Sequence, residues 1–287
     1  MAIKSLNAEK GYPVAALCSI LKLNRSSYYK WLNRKETEQE IENRELIGKI
    51  KIIQESRNYI YGARRLTMIL NKNANEKHNR KKIHRLMKIA GIECQIRKKR
   101  KSITKAAPGS QAAENILGRD FAADAPDRKW LTDVTEFKYG KDGKAYLSAI
   151  LDLGDKRIVS YVIGHFNNNM LAFDTFDIAV KENPKASPLF HSDRAYQYTS
   201  PIFRAKLKNA GMTQSMSRVG NCIDNGPMEG FWSILKSEMY HLNKFNTYEE
   251  LKAAIDEYIN FYNTERLQSG LGAMSPIEFR ESLLKTA

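Results

Sequence analysis

The chain has 287 residues, with 47 Lys and Arg against 32 Asp and Glu and a net charge of +15, so it has room for two or three domains and suits an acidic partner. Its three cysteines, Cys18, Cys94 and Cys222, stand far apart and form neither a zinc spacing nor a disulfide framework. No apolar run nears the ~20 residues of a membrane span, no secretory signal is visible, and no Gly-Lys-Ser/Thr loop calls for ATP, which leaves a protein of a reducing cytoplasm.

In chain order, Pro13 to Leu21 reads as a helix, Lys22 to Asn24 as a turn, and Arg25 to Leu32 as a second helix capped by Asn24 or Ser26. Such a helix-turn-helix can set its second helix in a major groove, with Arg25, Ser26, Ser27 and Tyr28 facing out; an ordinary helical hairpin has the same pattern. A second helical piece runs from about Glu45 to Ile96. Its helix Arg80 to Ala90 places Ile83, Leu86, Met87 and Ala90 on one stripe and Arg80, Lys81, Lys82, Arg85 and Lys88 elsewhere, and Gly91 ends it. Arg97 to Lys101 opens a basic linker that continues to about Gln111. Residues 1–126 hold 27 Lys and Arg against 12 Asp and Glu, while residues 127–287 hold 20 against 20. A basic module beside a neutral one suits a division between gripping nucleic acid and acting on it, because phosphate contacts supply most sequence-independent affinity.

The neutral half alternates strands and helices. Trp130 to Phe137 is β-branched and aromatic, as in a strand. Two further strand-like runs between Lys144 and Phe166 flank the turn Gly154-Asp155-Lys156, which predicts a hairpin. Asn167 to Lys181 has helical spacing, and Pro188 to His191 is a short strand ending at Ser192-Asp193. Ser200 caps a helix to Ala210, with Pro201 at its first position and Gly211 past its end. Met212 to Met216 is a fifth strand, a helix starts at Pro227, and Tyr248 to Tyr262 is a helix with Leu251, Ala254, Ile255, Tyr258 and Ile259 along one side. Strand-strand-strand-helix-strand-helix-strand-helix is the order of a ribonuclease H-like core.

Three acids are mounted on this frame: Asp133 within a strand, Asp193 at a strand end, and Glu229 on a helix. Thirty-five residues separate Asp193 from Glu229, and Glu229, Ser233 and Lys236 share one helix face, so that Lys236 would point with the acid toward a phosphate. Mg²⁺ prefers oxygen ligands at ~2.1 Å, and two such ions ~4 Å apart stabilise the attacking and leaving oxygens of a phosphodiester. Phosphoryl transfer asks a protein mainly for placement and charge neutralisation. Other polar residues nearby have structural readings: Asp152 in a turn or ladder, Asp224 capping the helix of Glu229, and His191 orienting Asp193 or packing.

The stretches Asn115 to Phe121, Pro126 to Asp133, Tyr146-Leu with Asp152, His191-Ser-Asp193, Gln197-Tyr-Thr199, Ser215 to Asn221, Asp224-Asn225 with Glu229, Leu235-Lys236 with Glu238, and Phe261-Tyr-Asn263 with Arg266, Leu271 and Ser275-Pro276 resemble those of the OrfB product of the insertion-sequence family 3 transposases, and of the retroviral-integrase core more widely. The resemblance spans nearly the whole chain. It departs at Ala195, where the family often has Gly, at Gly226 and Gly230 around the Glu, and at Gln268, where His is common; none of these removes an acid.

The resemblance implies that Asp133, Asp193 and Glu229 are catalytic and ligate two Mg²⁺ ions, with Mn²⁺ as a substitute. Tyr61-Gly-Ala-Arg-Arg65 is similar to a family motif, which makes Arg64 and Arg65 candidate contacts to double-stranded DNA beside Arg80, Lys81, Lys82, Lys236 and Arg266; for Arg266, packing is the alternative. The expected protein is a bacterial, nucleoid-associated DNA transposase subunit that cleaves element ends and transfers their 3′-hydroxyls. It would work as a homo-oligomer on DNA, with an OrfA partner or fusion that supplies end recognition. Other readings are a different ribonuclease H-like nuclease or a non-catalytic regulator derived from a transposase. The expected fold class is α/β, a mixed five-stranded sheet with flanking helices behind a basic all-α region. Its divisions are a helix-turn-helix-like segment (1–44), a basic helical DNA-binding domain (45–98), a linker (99–126), the core (127–241) and a helical tail (242–287).

Overall fold

The computed structural model describes residues 2–72, 77–95, 113–218 and 222–286. The expected basic linker, Arg97 to about Gln111, lies outside the described residues.

Three short helices, α1 (Ala2–Lys10), α2 (Val14–Ile20) and α3 (Arg25–Leu32), close around a core of their own made by Ile3, Leu17, Cys18 and Tyr28. Asn24 is the cap of α3: its side chain accepts the Ser26 amide at 2.8 Å, leaving one fewer orphan donor in the first turn. Tyr28 corrects the outward-facing reading. It is 8% exposed and joins the small core, while Tyr29 and Trp31 stand outside.

The next unit is α4 (Glu38–Glu55), α5 (Ala63–Lys72) and α6 (Arg80–Ile89). Thr37 and Glu40 form a capping box at the start of α4, and the helix then runs unbroken through the division expected at 44/45. Leu46, Ile50, Leu66, Leu70, Ile83, Leu86 and Met87 pack between the three helices, as the stripe on α6 predicts. Buried Gln54 sets the turn from α4 to α5: it donates to the Tyr61 carbonyl at 2.8 Å and accepts the Tyr61 amide at 3.3 Å. Gly91, at φ +65°, closes α6.

The sheet has five strands, β1 (Lys129–Tyr139), β2 (Gly143–Asp152), β3 (Ile158–Gly164), β4 (Leu189–Ser192) and β5 (Thr213–Met216), in the order β3-β2-β1-β4-β5. β1, β2 and β3 are antiparallel, and β4 and β5 run parallel to β1. The hairpin turn falls at Gly154 to Lys156, where Lys156 takes a left-handed φ of 64°. Parallel strands need crossovers, supplied by α7 (Asn169–Glu182) before β4 and by α8 (Tyr196–Thr199) with α9 (Pro201–Asn209) before β5. α10 (Gly226–Glu238), α11 (Tyr248–Thr264) and α12 (Pro276–Thr286) follow.

Period-2 alternation in β1 explains the layers. Trp130 faces one side with Phe173, Phe176, Phe190 and Phe203 of α7, β4 and α9. Leu131 and Phe137 face the other with Phe231, Trp232 and Leu235 of α10 and Leu251, Ile255 and Ile259 of α11. The Phe231 and Tyr262 rings meet edge to face at 4.9 Å, so the tail helix α11 is part of the packed body. The α4–α6 core is continuous with this second layer, and the Arg57–Glu265 and Lys72–Glu278 pairs fasten the helical unit to α11 and α12.

Candidate active site

β1 and β4 are neighbours, and their last paired residues are Leu131 and His191. Two positions further along the parallel strands stand Asp133, still in β1 opposite Ala149, and Asp193, just past the end of β4. Because side chains alternate along a strand, Asp133 shares the face of Leu131, toward α10. α10 is fastened along β1 by three contacts. Asn225 donates to the Thr132 carbonyl at 3.0 Å, the Trp232 indole N–H donates to Asp133 Oδ2 at 3.0 Å, and the Lys236 ammonium donates to Thr135 Oγ1 at 2.6 Å. Glu229 stands on the same helix one turn before Trp232, exposed to solvent. Three acids drawn from a strand, a strand end and a helix are therefore brought to the face of the sheet that α10 covers, where β4 ends.

Their electrostatics reflect that crowding. Burial pushes the Asp133 carboxyl up to about 7, and the charges of Asp193 and Glu229 push the same way, against the Val134 amide (2.8 Å) and the Trp232 indole that stabilise its ionised form. Burial also raises Asp193, opposed by the Ala195 amide that its Oδ1 accepts at 2.9 Å. Among the described residues no three His, Cys, Asp or Glu side chains stand close enough to hold one metal ion together. The acids meet as charges around Asp133 and do not form a closed three-carboxylate cage.

The surrounding polar residues are structural. His191 is fully buried between Ser215 Oγ (2.9 Å from Nδ1) and Ser217 Oγ (3.1 Å from Nε2), and burial pushes it down to about 4, so it bridges β4 to β5 as a neutral ring. Asp224 does not cap α10, whose N-cap is Asn225 with no side-chain cap bond. It is fully buried and accepts from the Arg218 backbone (3.0 Å) and guanidinium (2.9 Å), Arg119 (2.7 Å) and Asn115 (2.9 Å). The Arg218 hydrogen bond above all holds its carboxyl well below the usual range. Asp152 lies near the start of β1, across from Trp130 and three residues back from Asp133. It accepts the Asp127 and Gly154 amides at 2.6 and 2.7 Å, so it serves the turn.

The basic candidates divide. Arg64, Arg80 and Lys81 are exposed. Lys82 pairs with Glu42. Arg266 is 5% exposed and grips Glu238 with two N–H groups at 2.7 and 2.8 Å, and Arg65 reaches the same carboxylate at 3.2 Å. Both guanidiniums thus face a buried acid, which corrects the assignment of Arg65 as a phosphate contact and gives Arg266 the packing role that was its other reading. Lys236 lies against β1 at Thr135, two residues past Asp133, its ammonium also over the Phe137 ring at 5.0 Å. Sequence reasoning did not assign roles to Trp232, Asn225 and Glu238, although Asn225 and Glu238 fall in the stretches that carry the resemblance; for Trp232 the signal is its helical spacing from Glu229.

Two integrase core domain models match, at residues 123–222 and 229–284, and an HTH-like domain model matches residues 40–100. The chain is 36% identical to the putative transposase InsK for insertion sequence element IS150 of Escherichia coli K12, over 94% of each chain. It is 38% identical to an uncharacterized transposase-like protein of Haemophilus influenzae, over 72% of this chain and 95% of that one. Identity to the transposase InsF for insertion sequence IS3A of Escherichia coli K12 is 29%, over 95% of this chain and 96% of the relative. A simian T-cell lymphotropic virus intasome structure, in complex with PP2A regulatory subunit B56 gamma, overlays with a TM-score of 0.50 at 16% identity, covering 82% of this chain and 74% of that one, a likeness of fold alone. With a basic helical unit fastened to a ribonuclease H-like sheet, the chain belongs to the integrase-core transposases of IS150/IS3-type insertion sequences and is a DNA transposase.

Proposed function

We propose that Asp133, Asp193 and Glu229 carry out DDE-type phosphoryl transfer, cutting insertion-sequence ends and joining their 3′-hydroxyls to target DNA. The observation that carries this reading is the fastening of α10 along β1: Trp232 holds Asp133 while Glu229 stands one turn earlier, and β4 delivers Asp193 in register beside them. The donor set fits a hard divalent ion, being oxygen only and crowded with like charge. Asp133, which feels both other acids, would be shared, with Asp193 completing one site and Glu229 the second. Two Mg²⁺ ions bound there, or Mn²⁺ in their place, would activate the attacking oxygen and take up charge on the leaving one.

The chain's own residues supply the rest. The Asp193 and Asp133 carboxylates would hold an ion from the strand side and exposed Glu229 from the helix side, placing positive charge where the scissile phosphate must lie. Lys236, tethered to Thr135 on the face of β1 that carries Asp133, would hold a neighbouring phosphate. Arg64, Arg80 and Lys81 are among the exposed cations of the helical unit suited to the DNA backbone. Pairing two element ends calls for more than one copy on DNA, and an OrfA product is the natural source of end recognition. The test is an end-joining assay on duplexes carrying the element's ends, with Asp133→Asn, Asp193→Asn and Glu229→Gln. Each variant should lose joining and keep DNA affinity; joining at wild-type rate in any of the three removes that acid from the catalytic set.

A further inference from the structure

We propose that Trp232 is a positioning residue that sets the Asp133 carboxylate for divalent-ion binding; this rests on the reading of Asp133 as a metal ligand. The indole N–H donates to Oδ2 at 3.0 Å, while Oδ1 is held at 2.8 Å by the Val134 amide of the same strand. One rigid donor on each oxygen fixes the plane of the carboxylate. Each carboxylate oxygen offers two lone pairs, so both oxygens keep one free for an ion. The indole has no acceptor and cannot ligate a metal itself; it acts through Asp133 alone.

The mount is rigid because Trp232 is buried, tilted against Phe231 at 5.0 Å in the layer beneath α10. It sits three residues after Glu229, on the same side of the helix about one turn along. A single helix thereby carries one acid and the tether of another, so the separation of Asp133 from Glu229 depends on where α10 lies. Groups that hydrogen-bond a metal-ligating carboxylate commonly control metal affinity by ~10–100-fold.

Calorimetric titration of the full chain with MgCl₂, without DNA, tests this. Trp232→Phe keeps the ring packing and removes the N–H; Mg²⁺ should bind it ~10–100-fold more weakly, and the Mg²⁺ needed for half-maximal joining should rise by the same factor. Trp130→Phe is the control, because that indole donates to Asp152 at 3.3 Å, away from the acids; its Mg²⁺ affinity should match wild type. Asp133→Asn should lose the binding. Wild-type affinity in Trp232→Phe with loss in Asp133→Asn overturns the role of Trp232 alone, whereas wild-type affinity in Asp133→Asn overturns the ligand assignment beneath it. Should Trp232→Phe fail to fold, the wild-type chain still decides. Of the three indole ¹⁵N–H resonances, from Trp31, Trp130 and Trp232, the one from Trp232 should shift with Mg²⁺ at the calorimetric midpoint, and an unmoved resonance rejects the proposal.

Discussion

Glu238→Gln should be among the most destabilising single-atom-scale changes in this protein, although it lies nine residues beyond Glu229 at the far end of α10. The Glu238 side chain is 13% exposed and accepts two N–H groups from Arg266, whose side chain is 6% exposed, together with Arg65 at 3.2 Å and the Tyr258 hydroxyl at 2.9 Å. An amide keeps the shape but turns a donor toward two guanidiniums and leaves them without a countercharge. Breaking a buried pair in this way costs ~3–5 kcal/mol, a fall in melting temperature of roughly 10 °C at ~2–4 °C per kcal/mol. Arg65→Ala should cost only about 1 kcal/mol, because that side chain is 20% exposed and Arg266 still neutralises the acid. Burial alone would raise the Glu238 carboxyl, but the Arg266 hydrogen bonds and charge win and hold it below its ordinary 4.5. A carboxyl depressed on folding adds stability above its unfolded pKa and loses it as pH falls through the folded value. The advantage of wild type over Glu238→Gln should therefore be full near neutral pH and shrink on acidification below about 4.5. Thermal melts of the three proteins from pH 7 to pH 3 read all of this. A Glu238→Gln chain within 1 kcal/mol of wild type at neutral pH, or a gap that widens in acid, would refute the reasoning.

Two further outcomes follow from the geometry. A Cβ at Gly154 would lie 2.3 Å from the Ala125 carbonyl oxygen and 2.6 Å from its carbon, and backbone cannot yield as a side chain does. Gly154→Ala should lower stability by ~1–3 kcal/mol in a thermal or denaturant melt, and an unchanged midpoint contradicts the close approach. Arg80 and Lys81 are exposed while Lys82 is paired with Glu42. The Arg80→Ala/Lys81→Ala chain should bind duplex DNA with a log affinity versus log salt slope lowered by about 2, and Lys82→Ala should change it less; a slope equal to wild type in the double variant removes α6 from the DNA interface.

What was legible in the sequence was local. Ser200, Pro201 and Gly211 bracket α9 because capping and helix termination are decided within a turn, and Gly154 to Lys156 marks the β2–β3 hairpin for the same reason. Trp130 to Phe137 was legible as a strand from its β-branched and aromatic residues, while the two layers on its faces are seen only in the folded chain. The acids were visible because each has a distinctive neighbourhood. What escaped depends on partners far away in the chain. Asp224 reads as a cap until Arg119 and Asn115, more than a hundred residues earlier, are folded against it. Arg65 and Arg266 read as phosphate contacts because the acid they share is supplied by α10. Tyr28 falls inward because α1, whose own sequence has little amphipathic signal, folds back to cover it. Trp232 reads as a core aromatic, which it is; its N–H acquires a role only when β1 is laid beside α10.

The arrangement of the acids is tested most directly by anomalous diffraction from Mn²⁺ in crystals of the chain bound to duplexes carrying the element's ends. Two manganese peaks are expected, one between Asp133 and Asp193 and one between Asp133 and Glu229. Manganese bound only elsewhere, with no peak beside Asp133, would contradict the catalytic assignment.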